Sequence, residues 1–139
     1  ESLGTPAPVA TQRTILKELE AYFRENKTTA ATARFNEYHS SNMLKIIDYA
    51  YLMRFFNEKA PDNTYAASLV GWINDALKPI KPIAQNRAEI AELYREQSEA
   101  YLRLGQKAEG KKAAEKALAI AKIVKEKPET YAKQLAKFQ

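Results

Sequence analysis

Two helical periodicities meet at Gly105 with nothing between them but a turn, and that junction restricts the fold more than any other stretch of the chain. Over residues 87–104, RAEIAELYREQSEAYLRL, the residues Ile90, Ala91, Tyr94, Ser98, Tyr101 and Leu102 fall at helical spacing on one side. Over residues 106–124, QKAEGKKAAEKALAIAKIV, the residues Gly110, Ala113, Ala114, Ala117, Ala121 and Val124 do the same. Glycine ends a helix in left-handed backbone and lets the chain reverse. The small side chains of the second stretch then lie under the large ones of the first, and the expected unit is a helical hairpin.

The rest of the chain reads as more of the same. With four glycines, six prolines and abundant Ala, Lys, Glu and Leu, helices are expected throughout. At 139 residues the chain is the size of one domain, able to bury about two-thirds of its unfolded surface. It contains no cysteine, which removes disulfides, thiolate catalysis and cysteine metal sites from consideration. No apolar run approaches the ~20 residues needed to span a bilayer. Residues 1–10, ESLGTPAPVA, read as a flexible lead-in left by removal of a leader, an anchor or a further domain. Residues 11–139 read as a single all-helical domain, cytoplasmic or exported after such a removal.

Thr11 or Thr14 is the expected cap of a first helix carrying Ile15, Leu16, Leu19, Tyr22 and Phe23 to about Asn26. A weaker helix follows from Thr28 or Thr29 with Ala33, Phe35 and Tyr38, and a break is expected at residues 40–42. Residues 43–56, MLKIIDYAYLMRFF, are apolar almost all round, with Lys45, Asp48 and Arg54 spaced to form one narrow strip open to solvent or a ligand. Tyr49 and Tyr51 flank that strip and cannot both face the same way. Residues 64–77 direct Tyr65, Leu69, Trp72, Ile73, Ala76 and Leu77 toward a core. The doubled Lys-Pro-Ile at residues 78–83 makes a stiff joint, since each proline disfavours helix at and before itself. After Pro128, Tyr131, Leu135 and Phe138 form the stripe of a closing helix.

Over residues 91–125, about a quarter of the chain, the pattern resembles a tetratricopeptide repeat, a helix–turn–helix unit of about 34 residues. With Gly105 at the turn, Tyr94 and Tyr101 stand at aromatic positions of that pattern, Ser98, Gly110 and Ala117 at small ones, and Leu118 at a large one. The chain departs from it in having Gln97 for leucine, Ala114 for a bulky aromatic, and its closing proline only at Pro128. The resemblance implies antiparallel helical hairpins stacked as a short right-handed superhelix with a C-terminal capping helix. It implies that first helices line a concave surface for peptides or partner proteins. Its groove-facing positions fall on Glu92, Arg95, Glu99, Leu102 and Arg103. Glu99 argues against a clamp for a C-terminal carboxylate, and Glu99 with Arg103, four apart, also reads as a surface pair worth ~0.3–0.5 kcal/mol.

No catalytic signature emerges. Residues 105–112, GQKAEGKK, come within one residue of the phosphate-cradling G-x-x-x-x-G-K-[ST], but with a helix before the loop and Lys112 in place of the hydroxyl. His39 is the one histidine and reads as a surface or turn residue. The ladder Glu89, Glu92, Glu96, Glu99 lacks the Glu-x-x-His of a di-iron site, and Ser40 and Ser41 beside His39 have no nucleophile context. No metal, cofactor or enzymatic activity is expected.

The net charge of +5 is concentrated: residues 103–137 hold ten Lys or Arg against four Glu, and the remainder twelve basic against thirteen acidic residues. The leading expectation is a non-enzymatic adaptor that binds a peptide or protein segment in a helical groove lined by Glu92, Arg95, Glu99, Leu102 and Arg103, with Asp48 and Arg54. The alternative is a basic surface of Lys107, Lys111, Lys112, Lys116, Lys122 and Lys125 that docks on nucleic acid or an anionic membrane.

Overall fold

The computed structural model describes residues 8–80, 87–125 and 127–139, and among them every regular element is an α-helix: α1 (Pro8–Arg24), α2 (Thr28–Ser40), α3 (Ile46–Lys59), α4 (Ala66–Leu77), α5 (Arg87–Arg103), α6 (Lys107–Val124) and α7 (Pro128–Ala136). The chain is an all-α stack of helical hairpins. None of the described helices is long and apolar enough to cross a membrane.

The hairpin at Gly105 forms as its residues dictate. Gly105 has φ of 77°, the Gln106 amide donates to the Tyr101 carbonyl at 2.9 Å, and the Gly105 amide donates to that of Leu102 at 3.0 Å. These paired bonds close a helix around a left-handed residue. Further along α6, a Cβ added at Gly110 would stand 2.4 Å from Cε1 of Phe138 and 3.2 Å from Cβ of Tyr101. Glycine there lets both α5 and the final aromatic close on α6.

The α1–α2 hairpin has the same turn. Asn26 has φ of 59°, the Lys27 amide donates to the Tyr22 carbonyl at 2.9 Å, and the Asn26 amide donates to that of Phe23 at 3.1 Å. Each second helix then opens with an equivalent bond, Ala31 to Lys27 and Gly110 to Gln106, both at 3.0 Å. Tyr22, Asn26 and Ala31 are therefore the counterparts of Tyr101, Gly105 and Gly110, and Phe35 stands in α2 where Ala114 stands in α6. The sequence pattern exposes one such unit; the backbone contains two. Between them, α3 and α4 are joined by a longer connection over residues 60–65, where Asp62 Oδ1 accepts from the Thr64 amide at 3.0 Å and its hydroxyl at 2.7 Å.

Each helix packs on the next one or the next but one along the chain: α1 on α2 and α3, α3 on α4 and α5, α4 on α5, α5 on α6 and α7, and α6 on α7. This near-neighbour order makes a stack, with α5 at its centre. Two cores result. Phe23, Phe35, Phe56, Tyr65 and Trp72 fill the first, with the Phe35 and Trp72 rings 4.5 Å apart. Ala91, Ala117, Ala121 and Tyr131 form the second, where alanines bring α5, α6 and α7 together.

Several boundaries differ from expectation. Helix α1 starts at Pro8 instead of at a Thr11 or Thr14 cap, consistent with proline's tolerance in a first turn; residues 1–7 of the lead-in lie outside the described residues. The break at residues 40–42 is present, with Asn42 at φ of 59°, but α3 begins at Ile46 and not at Met43. The reason is Asp48, whose Oδ2 accepts from the Lys45 amide at 2.9 Å and so closes the helix N-terminus. Of the doubled Lys-Pro-Ile, the first copy follows α4 and the second, residues 81–83, lies outside the described residues.

Candidate functional site

Helices α3, α5 and α7 lie next to one another, α3 against α5 and α5 against α7. Two depressions open along them. One, of about 310 Å³, lies among Arg54 and Asn57 of α3, Arg95, Glu99 and Arg103 of α5, Gln134 of α7 and Lys137 just past its end. The other, of about 230 Å³, is lined by Ile47, Ala50, Tyr51, Ala88, Glu89, Glu92 and Tyr131, and shares Arg54 with the first. Together they form a groove that is polar at one end and apolar at the other.

The polar floor is a connected network. Asn57 Nδ2 donates to Glu96 Oε1 at 2.9 Å and to the Glu96 carbonyl at 3.0 Å. Tyr65 donates its hydroxyl to Asn57 Oδ1 and accepts from the Arg103 guanidinium. Arg103 Nε donates to Glu99 Oε2 at 3.0 Å, and Glu99 Oε1 accepts from Gln134 at 3.1 Å and Lys137 at 3.0 Å. Arg95 lies 3.4 Å from both Glu92 and Glu96. Helices α3, α5 and α7 are tied together by these bonds.

Burial splits the carboxyls. Glu96 is held well above the usual carboxylate range, first by burial and then by the neighbouring Glu92, against the lowering pull of Asn57 and Arg95. Burial also acts to raise Glu99, but hydrogen bonds and charge from Lys137, Gln134 and Arg103 outweigh it and hold the group below its ordinary value. Burial pushes the Tyr65 hydroxyl up to about 12, so it remains a donor to Asn57.

The groove gathers Glu92, Arg95, Glu99, Arg103 and Arg54. Leu102 is half-buried and lines neither depression. Asp48 is not there: it is 6% exposed, and besides capping α3 it accepts from Gln12 Nε2 at 3.0 Å, on the α1 side. The expected strip of Lys45, Asp48 and Arg54 is therefore replaced by an exposed strip of Ile47, Tyr51, Arg54 and Glu58. Tyr49 turns into the core and Tyr51 out to the groove. The lysines Lys107, Lys111, Lys112, Lys116, Lys122 and Lys125 are all exposed along α6. Lys112 meets Glu109 at 3.8 Å, and Lys116 lies over the Tyr94 ring. They spread around the solvent side of α6 instead of lining one edge. Residues 107–112 of the near-phosphate motif are part of α6.

His39 is placed differently from its sequence reading. Its side chain is 16% exposed and links three helices, with Nδ1 2.6 Å from the Tyr49 hydroxyl of α3 and Nε2 2.9 Å from Asp75 Oδ2 of α4. The Tyr49 hydroxyl is raised to about 12 by burial and then by Asp75 and Asp48, and the Tyr49–His39–Asp75 chain of hydrogen bonds ties α3, α2 and α4 together. The cluster borders a cavity of about 730 Å³ between α2, α3 and α4. Both ring nitrogens are engaged in joining helices, and neither is directed at an activated nucleophile. The partners stand 10 and 36 residues away, which no local pattern signals.

No protein-family model, curated protein or solved structure matches the chain.

Proposed function

We infer that the chain is a tetratricopeptide-like, non-enzymatic interaction module that receives a peptide or protein segment in the groove of α3, α5 and α7. The observation that carries this reading is the exposed apolar pair Ile47 and Tyr51, 57% and 44% exposed, set in a groove whose polar floor is already internally bonded. Large apolar side chains left open beside a rigid polar network suit a partner's side chain better than they suit water. The near-neighbour helix order and the two equivalent turns, at Asn26 and Gly105, support a repeat stack whose first helices present this surface. Recognition then works by shape and charge on a preformed face.

Photo-cross-linking distinguishes this from docking through the α6 lysines. A photoreactive residue at Tyr51 is expected to capture a protein partner in extracts of the native host, and one at Lys111 is not. The opposite outcome, or capture of nucleic acid from position 111, would reject the groove. Arg95 and Arg103 are unsuitable as test positions, since both are tied into the floor, whereas Ile47 and Arg54 can be changed without opening it.

A further inference from the structure

The charges of the groove are not equally available. Arg95 is matched by Glu92 and Glu96, Arg103 by Glu99, and Lys137 by Glu99. Arg54 has no ion-pair partner among the described residues. Its guanidinium lies 5.6 Å over the Tyr51 ring, on the boundary shared by the apolar and polar depressions. Glu89 and Glu92 line the apolar depression as well, Glu89 in the first turn of α5, where the helix N-terminus already favours a negative charge.

Resting on the groove reading above, we propose that the occupant is a peptide segment in which a bulky apolar side chain is followed closely by an acidic one. The apolar side chain fills the depression of Ile47, Ala50, Tyr51 and Ala88, and the carboxylate meets the Arg54 guanidinium. A guanidinium suits this because it is always charged, weakly hydrated and shaped to take both oxygens of a carboxylate. Its seat on an aromatic ring holds it in place without using its outward donors. The net charge of +5 draws an acidic segment toward the chain from a distance.

The test uses capped, fluorescent short peptides with a central Leu or Phe flanked by Glu, Lys or Ser, and reads anisotropy with the wild-type chain, Arg54→Glu and Ile47→Ser. Both variant positions are exposed, and unchanged circular dichroism establishes that the variants fold. Glu-flanked peptides are expected to bind the wild type about fivefold or more tighter than Lys-flanked ones, a ratio set by a partly exposed charge pair. Arg54→Glu is expected to reverse that order, and Ile47→Ser to weaken every peptide. Equal binding of Glu- and Lys-flanked peptides that still depends on Ile47 would overturn the acidic preference and leave the groove standing. Binding of no peptide, or binding indifferent to Ile47→Ser, would overturn both.

Discussion

Replacing Asn57 with aspartate changes the chemistry of one terminal atom while leaving the side chain's volume nearly constant, so the consequence is electrostatic. Asn57 is 6% exposed, and its Nδ2 donates to two acceptors of Glu96, the carbonyl at 3.0 Å and Oε1 at 2.9 Å. Aspartate has no donor there when ionised, and sets a carboxylate against a carboxyl group that burial already holds well above the usual range. Two hydrogen bonds are lost, and leaving a buried charge without a partner, those bonds included, costs ~3–5 kcal/mol. We expect the variant to lose about 3–5 kcal/mol at neutral pH, against the ~5–15 kcal/mol typical of a domain. Urea unfolding measures this, followed by fluorescence of Trp72, the single tryptophan, which packs against Phe35 and Phe56. The new carboxyl has its folded pKa raised above the unfolded one, so it favours the fold at low pH and disfavours it as pH rises through the folded value. The deficit should therefore narrow on acidification toward the carboxylate range. A loss under about 1 kcal/mol at neutral pH, or a deficit independent of pH, would refute the buried Asn57–Glu96 contact.

Three further outcomes follow from the same geometry. Gly105→Ala should cost about 1–2 kcal/mol in thermal or urea unfolding, because an added Cβ meets nothing within 4 Å and only the left-handed backbone resists it; Asn26→Ala should shift stability in the same direction if the two turns are equivalent. Gly110→Ala should destabilise the wild type by crowding Phe138 and Tyr101, and should cost less in a Phe138→Ala background, where only the Tyr101 contact remains, a coupling visible in a double-mutant cycle. Glu99 has a folded pKa below its unfolded one, so its contribution is present above the ordinary carboxylate value and lost as pH falls through the lower folded value; hydrogen exchange should show α7 loosening under acid, and Glu99→Gln should flatten that dependence.

How much was readable from residues alone depended on whether the determining contacts were local. The α5–α6 hairpin was legible because its periodicity and its left-handed glycine both lie within one stretch. Its twin at Asn26 was not, since asparagine is a less specific turn signal and α2 opens with Thr28 and Thr29, poor helix formers held by packing. Asp48 was misplaced because the apolar run appeared to begin the helix three residues too early; starting at Ile46 makes this residue a cap and not a surface charge. Arg103 and Glu99 read as a surface pair, and that pair exists, but Tyr65 and Lys137, each 38 residues from its partner in the network, turn it into part of a half-buried floor. Arg54 reads from the sequence as one of three charges, with Lys45 and Asp48, on a narrow strip of an apolar run; of these Asp48 is buried, while Arg54 stays exposed with no ion-pair partner among the described residues.

Amide chemical-shift mapping during titration with the tightest peptide of the flanked series tests the groove most directly. Shifts gathered on Ile47, Tyr51, Arg54, Ala88, Glu92 and Tyr131, with α6 from Lys107 to Lys125 unmoved, are the predicted result. Shifts gathered on the α6 lysines, or scattered without a focus on α3 and α5, would contradict it.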